Sequence, residues 1–305
     1  MKKKSVWSKG NRYRIAIHAF LIAFSLLFIL PFIMIVSISF SSEDAVTTRG
    51  GYGLLPREFS TEAYEMAFED PEKVVHAYGT TIFTATIGTV VTLLSAGMTG
   101  YVLSRSHFRY KGFVTFLVFF TMLFGGGEIP SYIINTRYYH LGDSLWIYLL
   151  PALSGGAWNI LMIRTFFRSI PESLFESAKI DGAKELTIFF RVALPLSKPV
   201  FASVGFLVLL QKWNNWQTSL VYIRDWHKYT IQYYLQKILN EAEFLEAIAS
   251  NAMISENLVS DLSVKAPLET LKYALCVIAA GPMLVIFPFF QKYFEKGMVV
   301  GAVKG

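Results

Sequence analysis

The sequence predicts an all-α membrane protein with six spanning helices, and three observations carry this prediction. Of the 305 residues, 53% are hydrophobic and only 16% are charged, with a mean hydropathy of +0.43. Soluble domains usually carry about a quarter charged residues. Six apolar segments of about twenty residues are long enough to cross a bilayer. The basic residues mark every second loop rather than one patch, which is typical of membrane orientation and argues against nucleic-acid binding.

The six predicted spans follow a short basic segment, residues 1–14. They are placed at Ile15–Phe40, Gly79–Leu103, Phe113–Ile134, Leu145–Ile163, Val200–Ile223 and Thr270–Phe290, and a tail, residues 291–305, follows the last. The first run is predicted to be a retained helix rather than a signal peptide, because it is about twenty residues long and lacks a small-x-small cleavage site. The acidic and basic residues inside the spans are Glu128, Lys212 and Lys272, and Lys272 is close enough to an end to reach the headgroups.

Loop charge predicts the orientation of the spans. Residues 1–14 and the loop 104–112 carry basic residues without acidic ones. The loop 41–78 has eight acidic and three basic residues, and the loop 224–269 has seven acidic and four basic residues. The segment Arg164–Pro199, named here the polar loop, has six basic and four acidic residues. Because loops rich in basic residues stay in the cytoplasm, both termini and the polar loop are predicted to be cytoplasmic.

The polar loop is predicted to form a helix, a turn and a second helix. Pro171 suits the first position of a helix, and Asp181-Gly182 is expected to break it because glycine takes backbone angles that other residues avoid. The second run, Ala183–Ala193, is expected to end before Pro195. Two interpretations remain open from these residues alone: an amphipathic loop on the lipid surface, or a docking element for another protein. In the second, Phe189-Phe190 would offer apolar contact area.

A known motif resembles this loop. Glu176-Ser177-Ala178, then Gly182 after three residues, then Val192-x-Leu194-Pro195 after nine more, resemble the EAA---G---------I-LP motif of ABC importer permeases. Ser177 and Val192 are conservative departures from it. The resemblance extends over nearly the whole chain, including Trp213-Asn214 and the closing residues, to the carbohydrate-uptake branch and its LplC/YtcP-like oligosaccharide permeases.

The resemblance implies a type I ABC importer permease fold, with a permease core at residues 79–290 and a coupling helix in the polar loop. It implies no enzymatic activity and no cofactor in this chain, since ATP and Mg²⁺ would bind a separate ATP-binding cassette ATPase. The other implied partners are a second homologous permease subunit, an extracellular solute-binding protein and the lipid of a bacterial cell membrane. The residues implied in ATPase coupling are Glu176, Ser177, Ala178, Asp181, Gly182, Ala183, Leu194 and Pro195.

A polar stretch, Gln211–Gln217, interrupts the fifth span about midway. Aromatic rings and amides at that depth suit sugar recognition, which predicts that Trp213, Asn214 and Trp216 line the translocation path. The alternative is that the helix ends earlier and leaves both tryptophans in the interfacial belt. Gly125-Gly126-Gly127 is expected to break the third span. Glu128 then either faces the same path or reaches the headgroups.

Other kinds of protein are less compatible with the sequence. The single cysteine, Cys276, allows no intramolecular disulfide, and the five histidines lack metal-ligand spacing, so no metal site is predicted. An ion-coupled secondary transporter or channel is the main alternative. It is disfavoured because no inverted repeat is detectable and only two ionisable residues lie deep in the spans. A membrane enzyme would need an acid–base pair near the spans, and none is visible.

Overall fold

The structure, a computed structural model, describes residues 9–48, 51–250 and 267–302. In these residues the regular structure is helical throughout, apart from an isolated β-bridge between Ser41 and Phe59. The all-α prediction is therefore confirmed. The chain divides into two compact units, Met1–Asp70 with Lys237–Ala280 and Pro71–Gln236 with Gly281–Gly305.

The first unit contains one long apolar helix, α1 (Lys9–Ser39), and two short ones, α2 (Glu43–Thr47) and α3 (Glu62–Ala67). Most apolar side chains of α1 are exposed, as expected for a helix surrounded by lipid. The carboxylate of Glu43 accepts hydrogen bonds from the backbone N–H groups of Glu269 and Thr270, at 3.0 and 2.9 Å. It thereby satisfies two of the unpaired donors at the start of the last helix.

The second unit is built around one long helix, α4, against which shorter helices pack. The helices after α3 are α4 (Pro71–Ser104), α5 (Lys111–Leu123), α6 (Glu128–Ile133), α7 (Trp146–Leu149), α8 (Ala157–Phe167), α9 (Glu172–Ile180), α10 (Glu185–Ile188), α11 (Leu194–Leu196), α12 (Lys198–Trp213), α13 (Gln217–Tyr222), α14 (Ile231–Ser250) and α15 (Leu268–Ala302). The last two each contain residues of both units.

The described residues provide three to six membrane spans. Three helices are long and apolar enough to cross a bilayer unaided: Tyr13–Ser39, Pro71–Ser104 and Leu268–Gln291. Three more spans result if bent helix pairs are joined: Lys111–Leu123 with Glu128–Tyr138, bent by 110°, Trp146–Ser154 with Ala157–Phe167, bent by 42°, and Glu185–Leu196 with Lys198–Trp213, bent by 84°. The break in the first pair lies at the three glycines, where the sequence predicted it.

Several helix boundaries differ from the predicted ones. α4 begins at Pro71, eight residues before the predicted start of the second span, and α15 continues to Ala302, beyond Phe290. In the last long loop, the helical spacing of apolar residues over Thr230–Leu239 and Glu243–Ile254 predicts one or two surface helices. Over residues 231–250 the structure has one continuous helix, α14, and Ile254 lies outside the described residues.

Glycines allow the close packing of α4 against its neighbours. A Cβ atom on Gly97 would lie 2.7 Å from the ring of Phe201 in α12. One on Gly100 would lie 3.1 Å from the backbone nitrogen of Arg164 in α8. Both glycines therefore serve close helix packing, as small residues commonly do in spanning helices.

Candidate functional site

The polar loop makes a tight reversal between α9 and α10. α9 starts directly after Pro171, and its last turn closes with hydrogen bonds from Gly182 N to Lys179 O (2.9 Å) and from Ala183 N to Ala178 O (3.0 Å). Gly182 has φ of +79°, a value that residues with a Cβ rarely adopt. The predicted helix–turn–helix is thus present, and the turn lies at the predicted glycine.

The second half of the loop differs from the prediction at Pro195. The helical run was expected to stop before this proline, but it continues as a π-helical turn, Phe189–Ala193, into α11. Proline has no N–H to donate to the preceding turn. A wider π-helical turn lies immediately before α11, and such turns occur mostly as single turns inside α-helices. α12 then leaves at an angle of 84° to this segment.

Aromatic side chains anchor the loop to the end of α4. Phe175 and Phe189 are almost fully buried, together with Phe167 of α8. The ring of Tyr101 in α4 lies within 5.6–6.1 Å of all three rings, mostly edge to face. Such contacts stabilise beyond the area they bury. Phe189 is therefore an internal anchor, and the predicted outward-facing role is compatible only with Phe190, which is 45% exposed.

Polar contacts join the two arms of the loop to the same end of α4. The hydroxyl of Tyr101 donates to Glu185 Oε2 at 2.7 Å, and the ammonium of Lys179 lies 2.7 Å from Glu185 Oε1. The hydrogen bond from Lys179 lowers the pKa of Glu185, and the bond from Tyr101 acts in the same direction. Glu185 is therefore ionised at neutral pH and connects α9, α10 and α4.

Arg105, directly after α4, adds a second connection. Its guanidinium lies 3.7 Å from the ring centre of Phe175 and 5.1 Å from that of Tyr101. It also approaches Glu172 Oε1 at 3.9 Å, and the hydroxyl of Ser106 donates to the same oxygen at 2.9 Å. Cation–π contacts of this kind gain strength when shielded from water, and Arg105 is 9% exposed. The start of α9 is therefore held firmly to α4.

The surface left uncovered is the tip of the loop. Ile180, beside the turn, is 86% exposed, and Leu174 and Leu186 are 44% and 64% exposed. The motif of the polar loop does not include these three residues, although apolar residues beside a polar turn were the available signal in the sequence. The predicted coupling residues divide between two surroundings: Glu176, Ser177, Asp181, Gly182 and Pro195 are exposed, whereas Ala178, Ala183 and Leu194 are half-buried.

A second candidate site is a cavity of about 420 Å³ between α6, α12 and α13. α12 stops at Trp213, and Asn215, one residue before the N-cap position of α13, accepts a hydrogen bond from Thr218 N at 3.0 Å. The chain is therefore not helical for three residues at this depth, which is tolerated where backbone lines a cavity. Asparagine and glutamine side chains from this break line the cavity, with one tryptophan and one tyrosine: Gln211, Asn214, Asn215, Gln217, Trp216 and Tyr222.

The four predicted path residues fall into two groups. Glu128, Asn214 and Trp216 line the same cavity, and Gln217 donates a hydrogen bond from Nε2 to Glu128 Oε1. Trp213 does not line it; its side chain is buried, with its ring 6.4 Å from that of Tyr78. The helix break at Asn214 turns Trp213 and Trp216 in different directions, which residue spacing alone could not reveal.

Hydrogen bonds brace the chain that follows α13. Asp143 Oδ1 accepts from the backbone nitrogens of Arg224 and Asp225, at 3.2 and 3.1 Å. The carboxylate of Asp225 accepts from His227, which with Lys228 lowers the pKa of Asp225 to about 2. The hydroxyl of Tyr148 lies 2.7 Å from that of Ser219 on α13. These contacts hold α13, and with it one wall of the cavity, against neighbouring loops.

No group of three or more histidine, cysteine, aspartate or glutamate side chains in the described residues is placed to hold a metal ion. The exposed tip of the polar loop and the amide-lined cavity are the features that best support a functional interpretation.

Comparison with known proteins defines the class. Residues 112–300 match the family model described as the binding-protein-dependent transport system inner membrane component. This match covers more than half of the chain, so the chain belongs to that family: it is a membrane permease component of a binding-protein-dependent ABC importer. The resemblance seen in the motif of the polar loop is confirmed.

Individual relatives and one solved structure resemble the chain over nearly its whole length. The chain is 35% identical, over 97% of its length and 100% of the relative, to the Bacillus subtilis polygalacturonan/rhamnogalacturonan transport system permease protein YtcP. It is 36% identical to protein LplC of the same organism, over 91% of this chain and 90% of LplC. A solved bacterial ABC transporter involved in the import of the acidic polysaccharide alginate matches with a TM-score of 0.73 and 30% identity, over 95% of this chain and 100% of that one. These matches confirm the permease fold.

Proposed function

We propose that this permease subunit imports oligosaccharides and that its polar loop is the coupling element for a separate ATPase. The observation that carries the proposal is the loop tip, an exposed turn at Gly182 with uncovered apolar residues on both sides, mounted on a buried aromatic anchor. A rigid base with an accessible apolar tip suits docking into a partner's groove. The relatives named for polygalacturonan/rhamnogalacturonan and for arabinooligosaccharides support the substrate class.

In this proposal the partners are two ATP-binding cassette subunits, a second homologous permease and an extracellular solute-binding protein. The loop charges support a cytoplasmic position for both termini and for the polar loop, facing the ATPase. ATP and Mg²⁺ bind the ATPase, and this chain contributes no cofactor site. Closure of the two ATPase subunits draws the coupling loops together, and the permease pair changes from inward- to outward-facing.

The contacts at the base of the loop supply a route for that movement. Glu185 bonds to Tyr101, and Arg105 stacks on Phe175, so displacement of α9 and α10 moves the end of α4 with them. α4 also packs against α8 and α12 through its glycines. A pull on the loop tip is therefore passed to three helices at once rather than through the chain connection alone.

The cavity at the α12–α13 break is the proposed part of the sugar path in this subunit. Amide groups can donate and accept hydrogen bonds to sugar hydroxyls, and the face of Trp216 can stack on a sugar ring. Glu128, held by Gln217, offers an acceptor at the cavity wall. The buried side chain of Trp213 packs near Tyr78 of α4 and so helps to hold the helix break in place.

Asn214→Ala is expected to lower ATP-driven oligosaccharide uptake by about 3- to 10-fold, the loss expected for one hydrogen bond to the substrate. Uptake is measured in proteoliposomes that contain the complete importer, with the solute-binding protein in excess. The exposed Thr165→Ala, whose hydroxyl bonds only within its own helix (2.8 Å to Leu161 O), is the control and should be unchanged. Unchanged uptake by Asn214→Ala at equal expression contradicts the path assignment. Uptake that needs an ion gradient but no ATP contradicts the importer proposal itself and favours a secondary transporter.

A further inference from the structure

We propose that Lys212 binds a carboxylate of an acidic saccharide during transport, so that this subunit selects uronate-containing oligosaccharides. The inference rests on the proposed function, since it names the substrate class of the same path. It goes beyond that function by assigning a charged recognition residue, which neither the motif nor the cavity lining identifies.

The position of Lys212 puts a cation deep in the membrane. It is the penultimate residue of α12, about 21 Å along the helix from Lys198 at 1.5 Å per residue. Its side chain lies flat on Gly88, where an added Cβ would come within 3.0 Å of Cδ, Cε and Nζ. Gly88 is at the middle of the 34-residue α4. The ammonium therefore lies beside the midpoint of a long span and does not reach towards either end of it.

No carboxylate in the described part of the chain compensates this charge. The structure gives Lys212 Nζ no hydrogen bond or ion pair there, and the acidic residue Glu128 in the third span is bonded to Gln217 instead. The carbonyl of Gly88 already accepts a hydrogen bond from Thr92 at 2.8 Å. An ionisable group at this depth is costly, and such groups normally face a water-filled path or a partner of opposite charge.

Two groups would neutralise the charge of Lys212: a carboxylate of the transported saccharide, or one from the second permease subunit. The neighbouring residues favour the saccharide. Gln211 and Asn214, within one turn of Lys212, line the amide-rich cavity proposed for sugar hydroxyls. The same cavity contains the carboxylate of Glu128, which repels an anionic group, so a uronate is better accommodated beside Lys212 than beside Glu128.

The comparisons agree with this choice. YtcP is named for polygalacturonan and rhamnogalacturonan, and the solved transporter imports the acidic polysaccharide alginate. Galacturonan and alginate are polymers of uronic acids, which carry one carboxylate per sugar unit. The ammonium of Lys212 would neutralise the carboxylate of each uronic-acid unit as that unit passes. The flexible lysine side chain allows this ion pair to form and to break again.

The test uses the complete importer in proteoliposomes, with trigalacturonate and its fully methyl-esterified form as probes. Lys212→Gln is expected to lower trigalacturonate uptake by about 10- to 100-fold, the range for losing one hydrogen bond to a charged group. Uptake of the uncharged ester should stay unchanged, and Lys212→Arg should retain most of the trigalacturonate uptake. Substrate-independent ATP hydrolysis and co-purification of the second permease report assembly in every variant.

Each outcome decides between the alternatives. Wild-type trigalacturonate uptake by Lys212→Gln overturns the inference, and so does uptake of the ester alone by the wild-type importer. Loss of the second permease from purified Lys212→Gln also overturns it, because the lysine then pairs with that subunit. If the wild-type importer takes up neither probe nor any other oligosaccharide, the proposed function fails as well.

Discussion

Gly182→Arg is expected to abolish substrate-stimulated ATP hydrolysis and uptake while the permease remains inserted and paired. Gly182 is exposed at the loop tip, and a Cβ there would meet no atom within 4 Å, so the arginine side chain projects outwards without disturbing the chain's own packing. The φ of +79° adds backbone strain of about 1–3 kcal/mol, which the buried aromatic anchor tolerates. The bulky cation then occupies the surface where the ATPase docks. The measurement is ATPase stimulation by substrate-loaded binding protein in the reconstituted complex.

Gly182→Asn separates backbone strain from obstruction of the docking surface. Asparagine adopts positive φ more readily than other residues with a Cβ, and its side chain is short. This variant should keep most of the stimulation. Wild-type stimulation in Gly182→Arg would show that the tip contacts no ATPase.

Gly155→Ala is expected to have the largest effect on stability. Gly155 has φ of +71°, and an added Cβ would lie 2.7 Å from the backbone nitrogen of Ala96 in α4. Ala96 is fully buried, so α4 cannot move aside without disturbing the core. Backbone strain and overpacking each cost about 1–3 kcal/mol, which gives roughly 2–6 kcal/mol of destabilisation. The measurements are the yield of inserted protein and the thermal unfolding of the detergent-purified complex.

Gly125→Ala is the matched control for this substitution. Gly125 precedes α6, has no positive φ, and a Cβ there would meet no atom within 4 Å. Its yield and unfolding temperature should equal those of the wild type. Equal stability of Gly155→Ala and Gly125→Ala would contradict the close approach of the turn before α8 to Ala96 of α4.

The sequence predicted those features that depend on local composition. Long apolar runs predicted the spans, three consecutive glycines predicted the break before Glu128, and Gly182 predicted the reversal in the polar loop. Each of these features depends on an intrinsic property of the residue type: a favourable free energy of transfer to lipid for apolar residues, or the freedom of glycine to adopt unusual backbone angles. The family resemblance rested on the same loop, and the comparisons confirm it.

Features made by distant residues were not predictable in this way. Tyr101 and Glu185 are 84 positions apart, and nothing in their neighbours indicates that they bond. The contact between Gly88 and the side chain of Lys212 likewise depends on how α4 packs against α12. Trp213 was grouped with Trp216 because the direction of a side chain beyond a helix break cannot be counted from helical periodicity. The continuation through Pro195 required a π-helical turn, for which the sequence has no simple signal.

Docking of the polar-loop tip on a separate ATPase can be tested by cross-linking. A photo-crosslinker is attached to Ile180→Cys in a Cys276→Ser background, which removes the chain's single native thiol. Ile180 is 86% exposed at the tip, and the control position, Ile129, is 75% exposed beside the third-span break. We expect a covalent adduct with the ATPase from Ile180→Cys whose yield changes with ATP, and none from Ile129→Cys. An active complex that gives no ATPase adduct from Ile180→Cys, or equal adducts from both positions, would contradict this docking.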